Sequence, residues 1–256
     1  VPSAAVGTGL DNYAITYHNG TLSVGQKALS ITANDQSKEY GATFTFLGTE
    51  FSTSGLTNGD TVTSVTLTSS GAVAGAPVGT YEIVPSAAVG TGLGNYAITY
   101  HNGTLSVGQK ALDITANNRS KTYGETLDLG TTEFSQVGLT NSDTVTSVTL
   151  TSAGAAAGAS VGDYDIVPRA AVGTGLDNYA ISYHNGTLSV GQKALDITAN
   201  NQSKIYGATF TFLGTEFSQV GLVNSDTVSS VTLTSSGAAA GASVGDYDIV
   251  PSTAVG

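Results

Sequence analysis

Three histidines are the residues of this chain best suited to acid–base or metal chemistry, and they share one recurring position. His18, His101 and His184 each precede an Asn-Gly pair. A catalytic triad or a zinc site would need a serine, a carboxylate or further ligands to converge on each histidine. No recurring set of Ser, His and acid stands out beside them. We therefore interpret them as exposed turn residues and assign no catalytic, cofactor-binding or metal-binding residue.

Recurring acids offer a second chemistry, because calcium prefers clustered carboxylate oxygens. Three positions hold an acid in every copy of the repeat described below: Glu50, Glu133 and Glu216; Asp60, Asp143 and Asp226; Glu82, Asp165 and Asp248. No Asp-x-Asp-x-Asp-Gly loop gathers them, and Gly94 replaces the acid found at Asp11 and Asp177. Two interpretations stay open: a structural calcium ion that stiffens hinges, or solvated surface acids. We assign no cofactor.

Two covalent modifications fit other recurring residues. A lysine recurs at Lys38, Lys121 and Lys204, where a Lys-Asn isopeptide bond would strengthen a module under tension. An Asn-Gly-Thr glycosylation pattern recurs at Asn19, Asn102 and Asn185. Hairpin chemistry also explains Asn-Gly. The sequence leaves both modifications open.

The element that must position all these residues is a repeat of 83 residues. Val-Pro recurs at an unchanged spacing, at residues 1–2, 84–85, 167–168 and 250–251. A fixed long period is the signature of a modular array. Because an enzyme usually concentrates its chemistry in one site, whereas a stalk needs length, the repetition favours a structural protein over an enzyme.

Composition excludes several partners. Asp and Glu number 19 and Lys and Arg 8, which gives a net charge of −11 and opposes binding to nucleic acid or anionic lipid. No apolar run approaches the ~18 residues of a membrane helix, so we expect no membrane insertion. The chain has neither Cys nor Met, which fits a long-lived extracellular protein with little to oxidise.

The local patterns predict strands joined by turns. Alternating or β-branched runs predict strands at Tyr13–Tyr17, Thr21–Val24, Ala28–Ala33, Thr43–Leu47, Val62–Thr68 and Tyr81–Val84. Asn19-Gly20 between two runs predicts a hairpin with a type I′ turn. No amphipathic helix is evident. We predict an all-β chain, a tandem array of small antiparallel β-sandwich (Ig-like) modules, with a β-grasp-like module containing one short helix as the alternative.

Short polar hinges set the predicted domain boundaries. Gly25-Gln26-Lys27 and its two equivalents separate apolar runs. We therefore expect a closing hairpin of a preceding module at 1–25, modules at 26–108 and 109–191, and a module lacking its closing hairpin at 192–256. We expect like modules to join head to tail, because a continuing chain or a second molecule supplies the hairpin to the last module.

At this spacing the chain resembles a known family. Ala28-Leu29-Ser30-Ile31-Thr32-Ala33-Asn34 followed by Ser37-Lys38-Glu39-Tyr40-Gly41 is similar to the opening of the MBG domain (YGX type), a repeat of bacterial surface adhesins and filamentous secreted proteins. The Tyr-Gly pair recurs at Tyr123-Gly124 and Tyr206-Gly207. The resemblance covers the whole chain. Asp often follows Tyr-Gly in that family, whereas Ala42, Glu125 and Ala208 stand here. The resemblance implies an extracellular bacterial array and transfers no active site.

Together these features predict a non-enzymatic extracellular protein that forms the stalk or fibre of a bacterial adhesin or surface filament. The alternative is a glycan- or protein-binding module repeated along the chain. Tyr13 and Tyr17 share one predicted strand face, a spacing more typical of packing than of a sugar platform.

Overall fold

The computed structural model describes every residue from Val1 to Gly256. The chain forms two compact units, Val1–Lys110 and Ala111–Gly256. It contains strands and 3-10 turns but no α-helix. None of its helical segments has the length and apolarity that crossing a membrane requires. The predicted all-β array of small sheet modules is confirmed, whereas the alternative module with a short helix is not what the structure shows.

The first unit holds two sheets. Its strands are β1 Lys27–Ala33, β2 Gln36–Glu39, β3 Phe51–Ser54, β4 Thr61–Thr68, β5 Gly79–Thr91, β6 Tyr96–His101 and β7 Gly103–Gly108. One sheet has the order β3-β1-β6, and the other has the order β2-β7-β5-β4. Three 3-10 turns lie at Leu10–Asn12, Ser70–Ala72 and Leu93–Asn95. We call residues 26–108 the first copy.

The second unit repeats this arrangement once. The strands are β8 Lys110–Ala116, which begins on the last residue of the first unit, β9 Arg119–Thr122, β10 Phe134–Val137, β11 Thr144–Thr151, β12 Gly162–Thr174, β13 Tyr179–His184 and β14 Gly186–Gly191. The sheet orders are β10-β8-β13 and β11-β12-β14-β9, with 3-10 turns at Ala153–Ala155 and Leu176–Asn178. We call residues 109–191 the second copy.

Residues 192–256, the third copy, form two small sheets. The strands are β15 Asp196–Ala199, β16 Phe217–Val220, β17 Ser230–Thr234 and β18 Val250–Val255, with a 3-10 turn at Ser236–Ala238. β15 pairs with β16, and β17 pairs with β18. Residues 202–205 and 245–249 form no strand, although their equivalents in the second copy lie in β9 and β12.

The core of the first copy lies between its two sheets. Leu29 and Ile31 from β1 pack in one cluster with Ile83 from β5 and Leu105 from β7. Every second residue of β1 is buried, as a strand with one face on a core requires. Each such side chain contributes roughly 1.5–3 kcal/mol when fully buried. The two sheets therefore form a small sandwich.

The sheets are mixed, which refines the prediction of antiparallel modules. β1 pairs antiparallel with β3, and β5 pairs antiparallel with β4 and β7. β1 with β6 and β2 with β7 are parallel pairs. Parallel partners need a long connection, and here nearly the whole copy lies between β1 and β6.

The predicted hairpin with a type I′ turn is wrong. β6 and β7 belong to different sheets, and neither Asn102 nor Gly103 between them has a positive φ. A Cβ at Gly103 would overlap the carbonyl oxygen of Ala33 in β1. The glycine is needed because two backbones approach closely where the chain passes between sheets, not because of its φ.

Three further strand predictions are not met, at Tyr13–Tyr17, Thr21–Val24 and Thr43–Leu47. The stretch Thr43–Leu47 is not a strand: Phe44 and Phe46 pack against the core, but the Phe44 N–H bonds to the carbonyl of Ala72 at 2.8 Å and no neighbouring strand pairs with it. Residues 12–25 contain no strand, although the identical sequence at 95–108 forms β6 and β7. Strand formation here depends on the partner strands.

Candidate functional site

The first two strands of the first copy pair with its last two strands, and the paired strands run in the same direction. Six residue pairs join β1 to β6, from Lys27 opposite Tyr96 to Thr32 opposite His101. Four more join β2 to β7, from Gln36 opposite Leu105 to Glu39 opposite Gly108. A force that pulls the chain before β1 away from the chain after β7 therefore acts along these strands. It loads the hydrogen bonds between the paired strands in shear. We call the four strands the end strands.

A buried tyrosine stabilises the start of β6 through hydrogen bonds of its hydroxyl group. The Tyr96 hydroxyl donates to Oδ2 of Asp60 at 2.8 Å and accepts a hydrogen bond from the Thr57 N–H at 3.0 Å. Burial raises the pKa of Tyr96, and the hydrogen bond to Asp60 raises it further. Tyr179 and Asp143 repeat the contact at 2.8 Å in the second copy. The recurring acid at these positions thus holds β6 and β13 in place.

A hydrogen bond from the main chain to a side-chain oxygen stabilises the segment where the chain passes from one sheet to the other. Oδ1 of Asp35 accepts a hydrogen bond from the Thr104 N–H at 2.7 Å. In the second copy, Oδ1 of Asn118 accepts one from the Thr187 N–H at 2.8 Å. An acid or an amide serves equally here because only the oxygen is used.

The recurring lysine binds two main-chain carbonyls. Lys38 Nζ donates to the carbonyls of Ala42 at 2.8 Å and Val73 at 2.6 Å, and burial lowers its pKa. Lys121, with 8% of its surface exposed, donates to the carbonyl of Glu125 at 2.7 Å and to that of Ala156. The ammonium therefore joins the loop after the second strand to the loop after the 3-10 turn, and the hydrogen bonds that it makes are to carbonyls rather than to an Asn side chain.

The Tyr-Gly pair that follows the lysine holds the end of the last strand. The Tyr123 N–H donates to the carbonyl of Gly191, the last residue of β14, at 2.9 Å. The Gly124 N–H donates to the carbonyl of Ala157 at 3.2 Å. In the first copy, the main chain of Tyr40 binds Gly108 in the same way. The Lys-x-Tyr-Gly sequence thus fastens the end strands to the rest of each of these two copies.

A comparison with protein families identifies the repeat that carries these Tyr-Gly contacts. The sequence matches the MBG domain (YGX type) over residues 29–106, 112–189 and 195–256. The chain belongs to this family. Each MBG match contains one Tyr-Gly pair, at residues 40–41, 123–124 and 206–207. A search of curated proteins gave no match.

The second and third MBG copies contact each other beside the Tyr-Gly pair of the second copy. The Tyr123 hydroxyl donates to Oδ2 of Asp226 at 2.9 Å. Nδ2 of Asn224 donates to the carbonyl of Ala157 at 2.9 Å. Tyr123 thus contributes its main chain to its own copy and its side chain to the next. We call these contacts the junction.

The glycine of the Tyr-Gly pair has a positive φ in all three copies, and at Gly124 the junction adds a packing constraint. Gly124 has a φ of +89°, a conformation that glycine adopts without strain. A Cβ at this position would lie 2.6 Å from Cγ2 of Val223 in the third MBG copy. Both the backbone and the neighbouring copy therefore require glycine. Sequence analysis missed Val223 and Asn224; their place in the Gly-Leu-Val-Asn-Ser-Asp stretch, equivalent to 55–60, was the available signal.

The histidines do not come together with partners that would make a catalytic set. Nε2 of His184 lies 2.9 Å from Oδ1 of Asp113, and both side chains are half exposed. The first MBG copy has Ser30 where Asp113 stands, so this pair does not recur. His18 and His101 are exposed.

One serine pattern, which sequence analysis missed, recurs in the second and third copies. Residues 158–162 and 241–245 read Gly-Ala-Ser-Val-Gly, the nucleophile-elbow pattern. That motif needs a strand before the serine and a helix after it, whereas here β12 begins at Gly162, the last residue of the first pentapeptide. The carbonyl of Ser160 accepts a hydrogen bond from the Tyr164 hydroxyl at 2.9 Å. This serine belongs to a turn.

The recurring acids are engaged in separate hydrogen bonds. Glu50 accepts the N–H groups of Leu47, Gly48 and Thr49 at 2.9–3.0 Å. Burial raises the pKa of Glu50, but these hydrogen bonds outweigh it and leave the pKa below its ordinary value. Nowhere do three or more His, Asp or Glu side chains gather as metal ligands would.

The acid of the second copy has a different partner. Glu133 forms an ion pair with Arg119 at 3.3 Å, between partly exposed side chains. Such exposed pairs contribute little, with a median of about 0–1 kcal/mol.

The remaining predicted residues lie at the surface or in the packing. Asn19, Asn102 and Asn185 are exposed. The Asn102 amide donates to Glu82 at 3.0 Å, so the glycosylation pattern overlaps a hydrogen bond between strands. Tyr13 and Tyr17, the two tyrosines on the predicted strand face, are exposed. Of their equivalents in the first copy, Tyr96 is buried, and the Tyr100 hydroxyl accepts the Ala88 N–H at 2.8 Å. These tyrosines pack the sandwich.

Proposed function

We propose that this chain is a non-enzymatic, extracellular structural array that forms the stalk or fibre of a bacterial adhesin or surface filament. The observation that carries the proposal is the parallel pairing of the end strands, Lys27–Thr32 with Tyr96–His101 and Gln36–Glu39 with Leu105–Gly108. Membership of the MBG family and the tandem arrangement of three matches support a repeat module of this kind.

Parallel end strands resist extension because of their geometry. When the two ends of a copy are pulled apart, the paired strands slide past each other, and all the hydrogen bonds between them bear the force together. An antiparallel pair pulled from one end opens one bond at a time. Forced unfolding is governed by the rate of unfolding, so loading the bonds together slows rupture.

The recurring polar side chains support the same function. Asp60 binds Tyr96, Asp35 binds the main chain at Thr104, and Lys38 binds two carbonyls, each within one copy. Polar groups that satisfy main-chain and tyrosine partners stabilise a fold and leave little for substrate chemistry. A glycan- or protein-binding role would instead need exposed groups that the fold does not use.

Single-molecule pulling tests the proposal. The chain has no cysteine, so pairs of cysteines can serve as unique handles. Handles at Gln26 and Gly108 load the end strands in shear. Handles at Lys27 and Ser54 open the antiparallel β1–β3 pair from one end and serve as the matched control.

We expect a several-fold higher rupture force with the first pair of handles. The 83 residues between Gln26 and Gly108 should release roughly 280 Å of chain at about 3.4 Å per residue. Equal forces in the two geometries would contradict a mechanical function. Binding of a glycan or protein by each copy at ordinary concentrations, with equal forces, would favour the repeated binding module. Labelling of intact source cells by antibody tests the extracellular location.

A further inference from the structure

The second and third copies, which lie in one compact unit, contact each other through a turn of the third copy, residues 223–226. Nδ2 of Asn224 donates to the carbonyl of Ala157 at 2.9 Å. Oδ2 of Asp226 accepts a hydrogen bond from the Tyr123 hydroxyl at 2.9 Å. One short turn thus makes two hydrogen bonds to the second copy.

Each copy forms this turn by itself. The N–H of the final aspartate donates to the carbonyl three residues earlier, at 2.9–3.0 Å in every copy. The asparagine of the turn has a positive φ in every copy, at Asn58, Asn141 and Asn224. A β-branched residue precedes it each time, at Thr57, Thr140 and Val223. Because the turn is already ordered, little conformational freedom is lost when it contacts a neighbour.

The Tyr-Gly pair that receives the turn is also formed alike in every copy. Its glycine has a positive φ at Gly41, Gly124 and Gly207. The N–H of that glycine donates at 3.2 Å to a carbonyl in the loop after the 3-10 turn, at Ala74, Ala157 and Ala240. A carbonyl oxygen has two lone pairs, and at Ala157 the second one accepts the Asn224 amide. The contact therefore joins two preformed surfaces.

The Tyr-Gly pair of the second copy also holds the end of a strand. The Tyr123 N–H donates to the carbonyl of Gly191, the last residue of β14, at 2.9 Å. β9 ends at Thr122, directly before this tyrosine, and pairs with β14 along its whole length. For β9 and the end of β14 to separate, Tyr123 has to move, and Asp226 of the third copy holds its side chain.

We propose that the turn at 223–226 is a docking element that stabilises β9 and β14 of the second copy. Opening the end of β14 then costs the junction contacts in addition to the hydrogen bonds of the strand itself. Coupling between two sites is reciprocal, so the second copy stabilises the turn by the same factor. In a modular array, contacts of this kind between neighbours add to the stability of each copy. The inference goes beyond the proposed function and does not depend on it.

A change in the third copy tests the effect on the second. Asn224→Gly removes the amide and keeps the positive φ, which glycine adopts without strain. Ser225→Gly is the matched control, because the next residue also has a positive φ and is exposed. Amide hydrogen exchange reports local opening.

In Asn224→Gly, the protected N–H groups of residues 186–191 should exchange about fivefold faster, as expected for the loss of one hydrogen bond. Ser225→Gly should leave their exchange unchanged. The proposal is overturned if exchange at 186–191 does not respond to Asn224→Gly, or if both variants speed it equally.

The reciprocal experiment changes the second copy and observes the third. Tyr123→Phe removes the hydroxyl donor, and the Asp226 N–H, which closes the turn on the carbonyl of Val223 at 2.9 Å, should then exchange about fivefold faster. Tyr164→Phe is the control, because that hydroxyl donates to the carbonyl of Ser160 within the second copy. Unchanged exchange at Asp226 in Tyr123→Phe, or the same change in both variants, would contradict reciprocal coupling.

A double-mutant cycle tests the packing between the two copies. A Cβ at Gly124 would lie 2.6 Å from Cγ2 of Val223, and the φ of +89° adds backbone strain to Gly124→Ala. The strain is the same with and without Val223→Ala, so it cancels in the cycle. Gly124→Ala should shift the denaturation midpoint of the second copy less in the Val223→Ala background. Equal shifts in the two backgrounds would show that the turn does not pack on the Tyr-Gly pair and would overturn the proposal.

Discussion

The second and third copies have nearly the same sequence and different structures. Residues 162–166 and 245–249 both read Gly-Asp-Tyr-Asp-Ile, yet the first segment lies in β12 and the second forms no strand. In the second copy, β14 lies beside β12, while in the third copy no strand does. The difference teaches that the partner strand, not local propensity, decides strand formation here.

The largest expected effect concerns an equivalent leucine in two copies, Leu112 within β8 and Leu195 directly before β15. Leu112 is 0% exposed and Leu195 is 40% exposed at the equivalent position. Leu112→Ala should lower the free energy of unfolding of its copy by about 2–5 kcal/mol, because it leaves a cavity. Leu195→Ala should cost less than about 1 kcal/mol. Hydrogen exchange measures both losses, and equal losses would remove the contrast between the copies.

A glycine at the passage between sheets should give the next largest effect. In Gly186→Ala, the new Cβ overlaps the carbonyl oxygen of Ala116 and lies 2.9 Å from that of Asn117. We expect the second copy to lose about 1–3 kcal/mol through this overpacking. Denaturant unfolding measures the loss. Gly191→Ala, with 3.8 Å to the nearest atom, is the control and should be close to neutral; an equal loss there would contradict close approach as the cause.

The tyrosine anchor should give a smaller effect. Tyr179→Phe removes the hydrogen bond to Asp143 and should lower the free energy of unfolding of the second copy by about 1 kcal/mol. Tyr13→Phe changes the equivalent residue in the unpaired segment, where the side chain is 72% exposed. We expect no change in the free protein. A comparable loss from Tyr13→Phe would contradict the absence of strand pairing at residues 12–25.

The smallest effect concerns acid pH. The Leu213 N–H, followed by those of Gly214 and Thr215, holds the pKa of Glu216 below its ordinary value of 4.5. A lowered folded pKa means that the carboxylate stabilises the loop above pH 4.5 and that this contribution is lost as the pH falls through the folded pKa. An NMR titration should place the midpoint of Glu216 below 4.5. Glu216→Gln should make the loop less sensitive to acid, and a midpoint at or above the ordinary value would contradict the three hydrogen bonds.

Sequence patterns predicted the parts of the fold that depend on local alternation. The period of 83 residues, the all-β class and the strands around Leu29 and Val65 follow from alternation and β-branched residues. Parallel pairing of β1 with β6 does not, because residues so distant in sequence give no local signal. The Asn102-Gly103 prediction failed because a glycine required by a close backbone contact looks in sequence like a glycine required by a turn.

In the candidate site too, sequence patterns predicted some features and gave no signal for others. The recurring lysine, tyrosine and acids were visible as repeated residues, but their partners are mostly main-chain groups such as the carbonyl of Val73, which carry no sequence signal. The junction residues Val223 and Asn224 act through contacts with another copy, and only the structure shows which copy they meet.

Amide hydrogen exchange at the two identical pentapeptides tests the central claim most directly, that the last strands of a copy create the strand beside them. In dilute protein, the N–H groups of Asp163–Ile166 should be protected, while those of Asp246–Ile249 should exchange at least tenfold faster. The sequence is the same, so intrinsic rates cancel. Equal exchange at the two segments, fast or slow, would contradict the account.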